Sequence, residues 1–149
     1  MGWPEDWEAR VDGSACPFCA GRKLGALIGQ GTVSDIWFPR RALVRGYAVV
    51  VWRGRHVVEP HHLNEEEAAS YHADTLRVAQ AIETYFRPLK INYMTAGNRV
   101  PHLHTHVTAR YRDDPAPGTP LPDGPNVELP EAQWRADAEA LKDLLTARW

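Results

Sequence analysis

The chain is short of cysteine, of long apolar runs and of net charge, and each shortage closes off a class of function. Only Cys16 and Cys19 occur in 149 residues, too few for the disulfide framework of a small secreted domain. No apolar stretch approaches the roughly 20 residues of a membrane-spanning helix, so no membrane partner is expected. Lys and Arg number 17 against 19 Asp and Glu, a net charge of −2, which offers no broad basic surface for nucleic acid. The opening Met1-Gly2-Trp3-Pro4-Glu5-Asp6-Trp7-Glu8 lacks both the basic start and the apolar stretch of a secretory signal. The cytoplasm is therefore the expected compartment. No internal repeat is visible, and a hydrophobic fraction of 44% suits one ordinary globular core.

What the chain does have is histidine, concentrated in one place. Three of its seven histidines alternate along Val100-Pro101-His102-Leu103-His104-Thr105-His106-Val107-Thr108. In an extended strand successive side chains point to opposite faces. The spacing predicts His102, His104 and His106 on one face, each roughly 6–7 Å beyond the last. Leu103, Thr105 and Val107 would take the other face, a set suited to packing on a core. Imidazole serves as nucleophile, acid/base or metal ligand, and the pattern alone leaves all three open.

The rest of the chain reads as an α+β fold. Residues 1–15 show no periodicity and read as an arm on the body, and Gly21, Gly25, Gly29 and Gly31 argue against a helix over residues 20–34. Ile36-Trp37-Phe38 reads as a short strand stopped by Pro39. After Gly46, Tyr47-Ala48-Val49-Val50-Val51-Trp52 reads as a central strand covered on both faces. Asn64 and Glu67 form a capping-box pattern at the head of a long helix, whose buried face is expected at Ala68, Tyr71, Thr75, Val78, Ala79, Ile82 and Phe86. Pro88 ends it. Residues 91–95 read as a strand joined by a tight turn at Ala96-Gly97-Asn98 to the histidine strand. Residues 113–130 carry prolines at 115, 117, 120, 122, 125 and 130 and read as an extended connection without ladder hydrogen bonds. It leads to a helix over residues 131–148 with Trp134, Ala138, Leu141 and Leu145 on one stripe.

From Asn92 through Gly97-Asn98-Arg99 to His102-x-His104-x-His106, the chain resembles the histidine-triad (HIT) family. That family is marked by three histidines alternating with apolar residues. The resemblance runs over residues 16–111: Cys16-Pro17-Phe18-Cys19, the strand from Gly46 to His56, the approach Phe86-Arg87-Pro88, and the exit Arg110-Tyr111. It implies a HIT-like domain over residues 1–112, an antiparallel sheet crossed by one long helix; outside the resemblance, residues 113–130 read as a connection and 131–149 as a helix packed on the same domain. It implies a hydrolase or transferase acting on the α-phosphate of a small-molecule nucleotide, with no organic cofactor, and a homodimer. His104 becomes the nucleophile that carries the nucleotidyl group. His106 becomes a partner for the phosphoryl oxygens or the leaving group, and Asn92, Asn98 and the Arg99 backbone become phosphate contacts.

Several positions depart from the family pattern. Tyr47 stands where a fourth histidine is usual, Asn98 replaces a glutamine, and Thr108-Ala109-Arg110 lacks the usual proline. No aspartate lies in register in Phe38-Pro39-Arg40-Arg41 to grip a ribose, Asp35 being out of register. Arg40 or Arg41 would instead favour a longer phosphate chain.

The two cysteines have two readings. As half of a metal site, the resemblance completes them with His56 and His102 into a structural zinc set, with His61 and His62 as competitors for one position. As a thiol redox pair, they would need a preceding strand and a helix opening at Cys16. A catalytic metal on the triad itself and a nucleotide-binding regulator without turnover complete the alternatives.

Overall fold

The computed structural model describes residues 2–124 and 126–149. Its elements in chain order are α1 (Trp7–Val11), β1 (Ala26–Gln30), β2 (Ser34–Phe38), β3 (Arg41–Ala42), β4 (Tyr47–Trp52), α2 (Glu65–Phe86), β5 (Lys90–Met94), β6 (His104–Arg110), β7 (Val127–Glu128) and α3 (Glu131–Thr146). Five strands form one antiparallel sheet in the order β1-β2-β4-β6-β5. The apolar run Tyr47–Trp52 is its central strand, buried along nearly its whole length, as a strand covered on both faces requires.

One face of the sheet makes the core. Ile28, Ile36, Phe38, Ala48, Val50, Val107 and Ala109 meet Tyr71, Val78, Ala79 and Ile82 of α2 and Ala138, Leu141 and Leu145 of α3 in a single cluster. Asn64 caps α2 by accepting from the Glu67 amide at 2.8 Å, and Glu67 returns the bond to the Asn64 amide at 2.9 Å. At the other end Arg87 takes a left-handed conformation with φ 50°, a helix stop that Pro88 makes final. Gly46 has φ 87°, and a Cβ there would sit 2.8 Å from that of Ala109. Only glycine lets β4 start this close to β6.

The structure adds to the sequence reading in some places and corrects it in others. A strand, β1, lies within the glycine-rich residues 20–34, and α1 within the N-terminal arm. The helix face excludes Ala68, which is exposed, and includes Asp74 and Ala81, which are buried. Asp74 is held because its carboxylate accepts the Thr32 and Val33 amides at 3.0 and 2.9 Å, fixing the turn between β1 and β2. No tight turn joins β5 to β6; an irregular loop spans residues 95–103, and His102 lies in it rather than in the strand. The proline-rich connection is not ladder-free. β7 pairs with β3, Arg41 opposite Glu128 and Ala42 opposite Val127.

The other end of that connection is pinned by a buried ion pair. Arg110 grips Asp114 through Nε at 2.7 Å and Nη2 at 3.0 Å, and donates to the Ala116 and Thr119 carbonyls at 2.7 Å each. Between these anchors, Leu121–Gly124 and Asn126 lie beside His104, His106 and Thr108 on the sheet face opposite the helices.

Candidate active site and metal centre

That face of the sheet carries the site. Side chains opposite each other on neighbouring strands share a face. His104 faces Val51, His106 faces Val49 and Met94, and Thr108 faces Tyr47 and Asn92. On the reverse face Thr105 is fixed from the core, its hydroxyl bonded to Tyr71 Oη and Thr95 Oγ1 at 2.7 Å each. The strand bearing the two histidines is thereby held from behind.

His104 Nδ1 donates to the carbonyl of His102 at 2.7 Å. With the proton held there, Nε2 keeps its lone pair. Burial pulls the His104 pKa below the ordinary value, so the ring is neutral at pH 7. The ring of Phe18 stands edge-on to it at 5.3 Å.

His106 is held differently. Its Nδ1 lies 2.5 Å from Tyr47 Oη, and the two rings stack at 10° with centroids 5.6 Å apart. Burial, aided by neighbouring His104, pulls the His106 pKa down to about 4, and burial pushes the Tyr47 phenol up to about 12. Both groups are neutral across the physiological range.

His104 and His106 open into a cleft of about 440 Å³. The loop before β6 supplies Asn98 and Arg99, β3 and the residues after it supply Ala42, Leu43 and Val44, and the proline-rich connection supplies Leu121, Pro122 and Asp123. Arg99 Nη2 reaches Asp123 at 2.9 Å across the mouth, both side chains well exposed.

Beside the cleft, Cys16, Cys19, His56 and His102 bring their donor atoms within 4.8 Å of one another. His102 Nδ1 lies 3.4 Å from Cys16 Sγ and 3.5 Å from Cys19 Sγ, and His56 Nδ1 lies 3.3 Å from Cys19 Sγ. Each imidazole binds a carbonyl through its far nitrogen, His102 Nε2 to Trp52 at 2.8 Å and His56 Nε2 to Val11 at 2.9 Å. Those bonds leave both Nδ1 lone pairs aimed at the thiols, the orientation that outer carbonyls impose on metal-binding imidazoles. Two thiols and two so oriented imidazoles are a donor set that fits zinc. The redox reading lacks its supports. Among the described residues no strand precedes Cys16 and no helix opens there, while burial and neighbouring Cys16 push the Cys19 thiol up to about 11, away from the reactive thiolate.

A model of the HIT domain matches residues 36–113, just over half of the chain. The chain belongs to the HIT-domain family. Among solved structures, a histidine-triad protein from Bradyrhizobium japonicum is 25% identical with a TM-score of 0.76, over 80% of this chain and 90% of that one. One from Marinobacter aquaeolei is 24% identical, TM-score 0.73, over 82% and 89%. A zinc-bound histidine-triad family protein from Mycobacterium smegmatis is 21% identical, TM-score 0.65, over 90% and 95%. The sheet, long crossing helix and C-terminal helix are the HIT fold. The search of curated proteins finds no match.

Within this HIT domain the residues singled out from the sequence fall into two groups. His104, His106, Asn98 and Arg99 share the cleft. Cys16, Cys19, His56 and His102 share the cluster beside it, so the first triad histidine turns away from the other two. Asn92 is not in the cleft: its Oδ1 accepts from Arg110 Nη1 at 2.7 Å, in the neighbouring groove under the proline-rich connection. His61, His62 and His72 are exposed and outside the cluster. Arg40 and Arg41 are spent on β7 and its flanks. Arg40 reaches Leu129 O at 2.9 Å and Glu128 at 3.4 Å, and Arg41 reaches Asn126 O at 3.5 Å. Asp35 pairs with Arg53 at 2.9 Å. The sequence reading missed Asp123, the one carboxylate lining the cleft among the described residues. Nothing in its local sequence marks it. Among those residues no helix is long and apolar enough to cross a membrane.

Proposed function

We propose that this HIT-family protein binds a small nucleotide in the cleft and cleaves it at the α-phosphorus through a nucleotidyl group carried on His104. One observation carries this reading: the His104 Nδ1 bond to the His102 carbonyl at 2.7 Å, which leaves the Nε2 lone pair free in a site lined by His106, Asn98 and Arg99. Nε2 attacks phosphorus while the bond to the leaving group breaks, and that group departs with the electron pair and takes up a proton. Water then attacks the same phosphorus, the P–N bond breaks, and His104 is regenerated. Splitting one displacement into two lowers each barrier. His106, the Asn98 amide and the Arg99 backbone N–H hold the phosphoryl oxygens. The substrate class is a nucleoside phosphoramidate or dinucleoside polyphosphate.

Zinc held by Cys16, Cys19, His56 and His102 is structural in this reading. The two outer carbonyl bonds to the imidazoles support it, as does the zinc-bound relative from Mycobacterium smegmatis. A closed four-donor site of this kind supplies rigidity rather than chemistry. The protein acts in the cytoplasm as a homodimer. Strand β5 is an edge of the sheet with Tyr93 and Met94 half exposed, a surface suited to a two-fold partner. Purified protein incubated with an adenosine phosphoramidate tests the reading. Release of AMP, with acid-labile adenylyl transiently on His104, is expected. AMP binding without turnover would instead make the protein a nucleotide-binding regulator, and light scattering that finds a monomer would remove the dimer.

A further inference from the structure

Two imidazoles face the cleft, and their far nitrogens are tied to opposite kinds of group. His104 Nδ1 meets a carbonyl, which only accepts. His106 Nδ1 meets a phenol, which both donates and accepts. Among the described residues Tyr47 Oη has no other partner than His106. If His106 Nδ1 carried the proton, the half-buried phenol would accept it and leave its own O–H without an acceptor among the described residues. That loss costs more than an unfilled lone pair. With Tyr47 donating, the phenol proton and the Nδ1 lone pair are both satisfied.

We propose that Tyr47 is a positioning residue that fixes His106 as its Nε2–H tautomer, so that the cleft presents a lone pair from His104 beside an N–H donor from His106. The ring centroids are 5.0 Å apart, close enough for both to address one phosphoryl group. His104 supplies the attacking pair and His106 a neutral donor for the oxygen where charge develops. The stacking of the phenol on the imidazole at 10° holds the donor's direction as well as its tautomer. The other charged or titratable groups around His106 are His104 on its own strand, Asp123 and Arg99 across the cleft, and Arg110 in the adjoining groove. None of these is a hydrogen-bond partner of Nδ1, which leaves the tautomer to Tyr47. The assignment of His106 as a phosphoryl donor rests on the function proposed above, whereas the tautomer does not.

Nitrogen-15 NMR of histidine-labelled protein reads the tautomer without substrate. Wild type is expected to show His106 with Nδ1 unprotonated, and Tyr47→Phe to show a mixture of tautomers. Wild-type His106 protonated on Nδ1 overturns the proposal even if no variant folds, as does a Tyr47→Phe spectrum unchanged from wild type. A double-mutant cycle separates positioning from general support. Tyr47→Phe is expected to lower kcat about tenfold when His106 is present, part of what a lost transition-state donor costs. It should have no further effect in His106→Ala protein. An equal loss in both backgrounds overturns the positioning role. Absence of any nucleotide turnover would sink the function proposed above while the spectra still decide the tautomer.

Discussion

The carbonyl of His102 accepts the Nδ1 proton of His104 at 2.7 Å, while the His102 ring faces Cys16 Sγ at 3.4 Å. One residue therefore joins the Cys₂His₂ cluster to the imidazole proposed to attack phosphorus. Its backbone holds the Nδ1 proton of that ring and its side chain belongs to the cluster.

Replacing the proposed nucleophile tests the centre of this arrangement. His104→Ala removes the ring proposed to attack phosphorus through its Nε2, and is expected to cut turnover on the order of 10³-fold or more. The fold should persist, because Thr105 and Val107 hold the strand from the other face. Mass spectrometry of acid-quenched wild type should place the nucleotidyl group on His104. Full activity in the variant would refute covalent catalysis there.

The cluster is expected to carry one zinc per chain, measurable by elemental analysis of protein purified without added metal. Cys16→Ser with Cys19→Ser should abolish it and lower the melting temperature by about 10 °C, corresponding to about 3 kcal/mol. Unchanged metal content or melting temperature in that variant would exclude a structural metal at this place.

Acid should loosen the proline-rich connection. Hydrogen bonding from Arg110 holds the Asp114 carboxyl down at about 2, below its unfolded value near 3.9. A depressed carboxylate adds stability that is present above the unfolded pKa and lost as pH falls toward the folded one. Half-buried, neutral His106, at about 4, acts with the same sign between about 6.5 and 4. Stability is therefore expected to fall on acidification from pH 6.5, with the Asp114 contribution disappearing below about 4. Asp114→Ala strands the buried Arg110 without its charge partner and should cost about 3 kcal/mol in urea unfolding. A loss under 0.5 kcal/mol would mean that the neighbouring carbonyls alone satisfy the guanidinium.

Discrimination against deoxyribose should be weak. Asp35 is bound to Arg53, and Asp123, the acid in the cleft, is bound to Arg99 at its exposed mouth. A site without a free acceptor for two hydroxyls cannot reject a substrate lacking one of them strongly. The ratio of kcat/KM for an AMP amide over its 2′-deoxy form is expected at about tenfold or less, equivalent to about 1.4 kcal/mol. A ratio of 10³ or more would show that Asp123 leaves Arg99 to hold the ribose.

The parts legible in the sequence were those set by periodicity and local chemistry. The run Tyr47–Trp52, the Asn64–Glu67 cap and the alternation around His104 each carry their outcome within a few residues. What escaped depended on distant partners. β1 forms among glycines because β2 pairs with it and α3 packs on it. β7 exists only as the mate of β3. Asn92 fits a phosphate contact by position, yet Arg110 claims its carbonyl oxygen. His102 alternates with His104 in sequence, but the Trp52 carbonyl and the two thiols draw its ring to the cluster.

The contact between Cys16 and His102 spans 86 residues, which gives the proposed catalysis a place in time. Closing so long a loop waits on the contacts that shorten it, above all the pairing of β4 with β6. The peptide that carries the His102 carbonyl is held at its other end by the Leu103 N–H, which donates to Val57 O at 2.7 Å, so His104 gains a fixed tautomer only once the loop before β6 has docked beyond the end of β4. Helix signal should therefore return before enzyme activity when the unfolded chain is diluted into buffer containing zinc. The interval between the two would measure how late the proposed nucleophile is aimed.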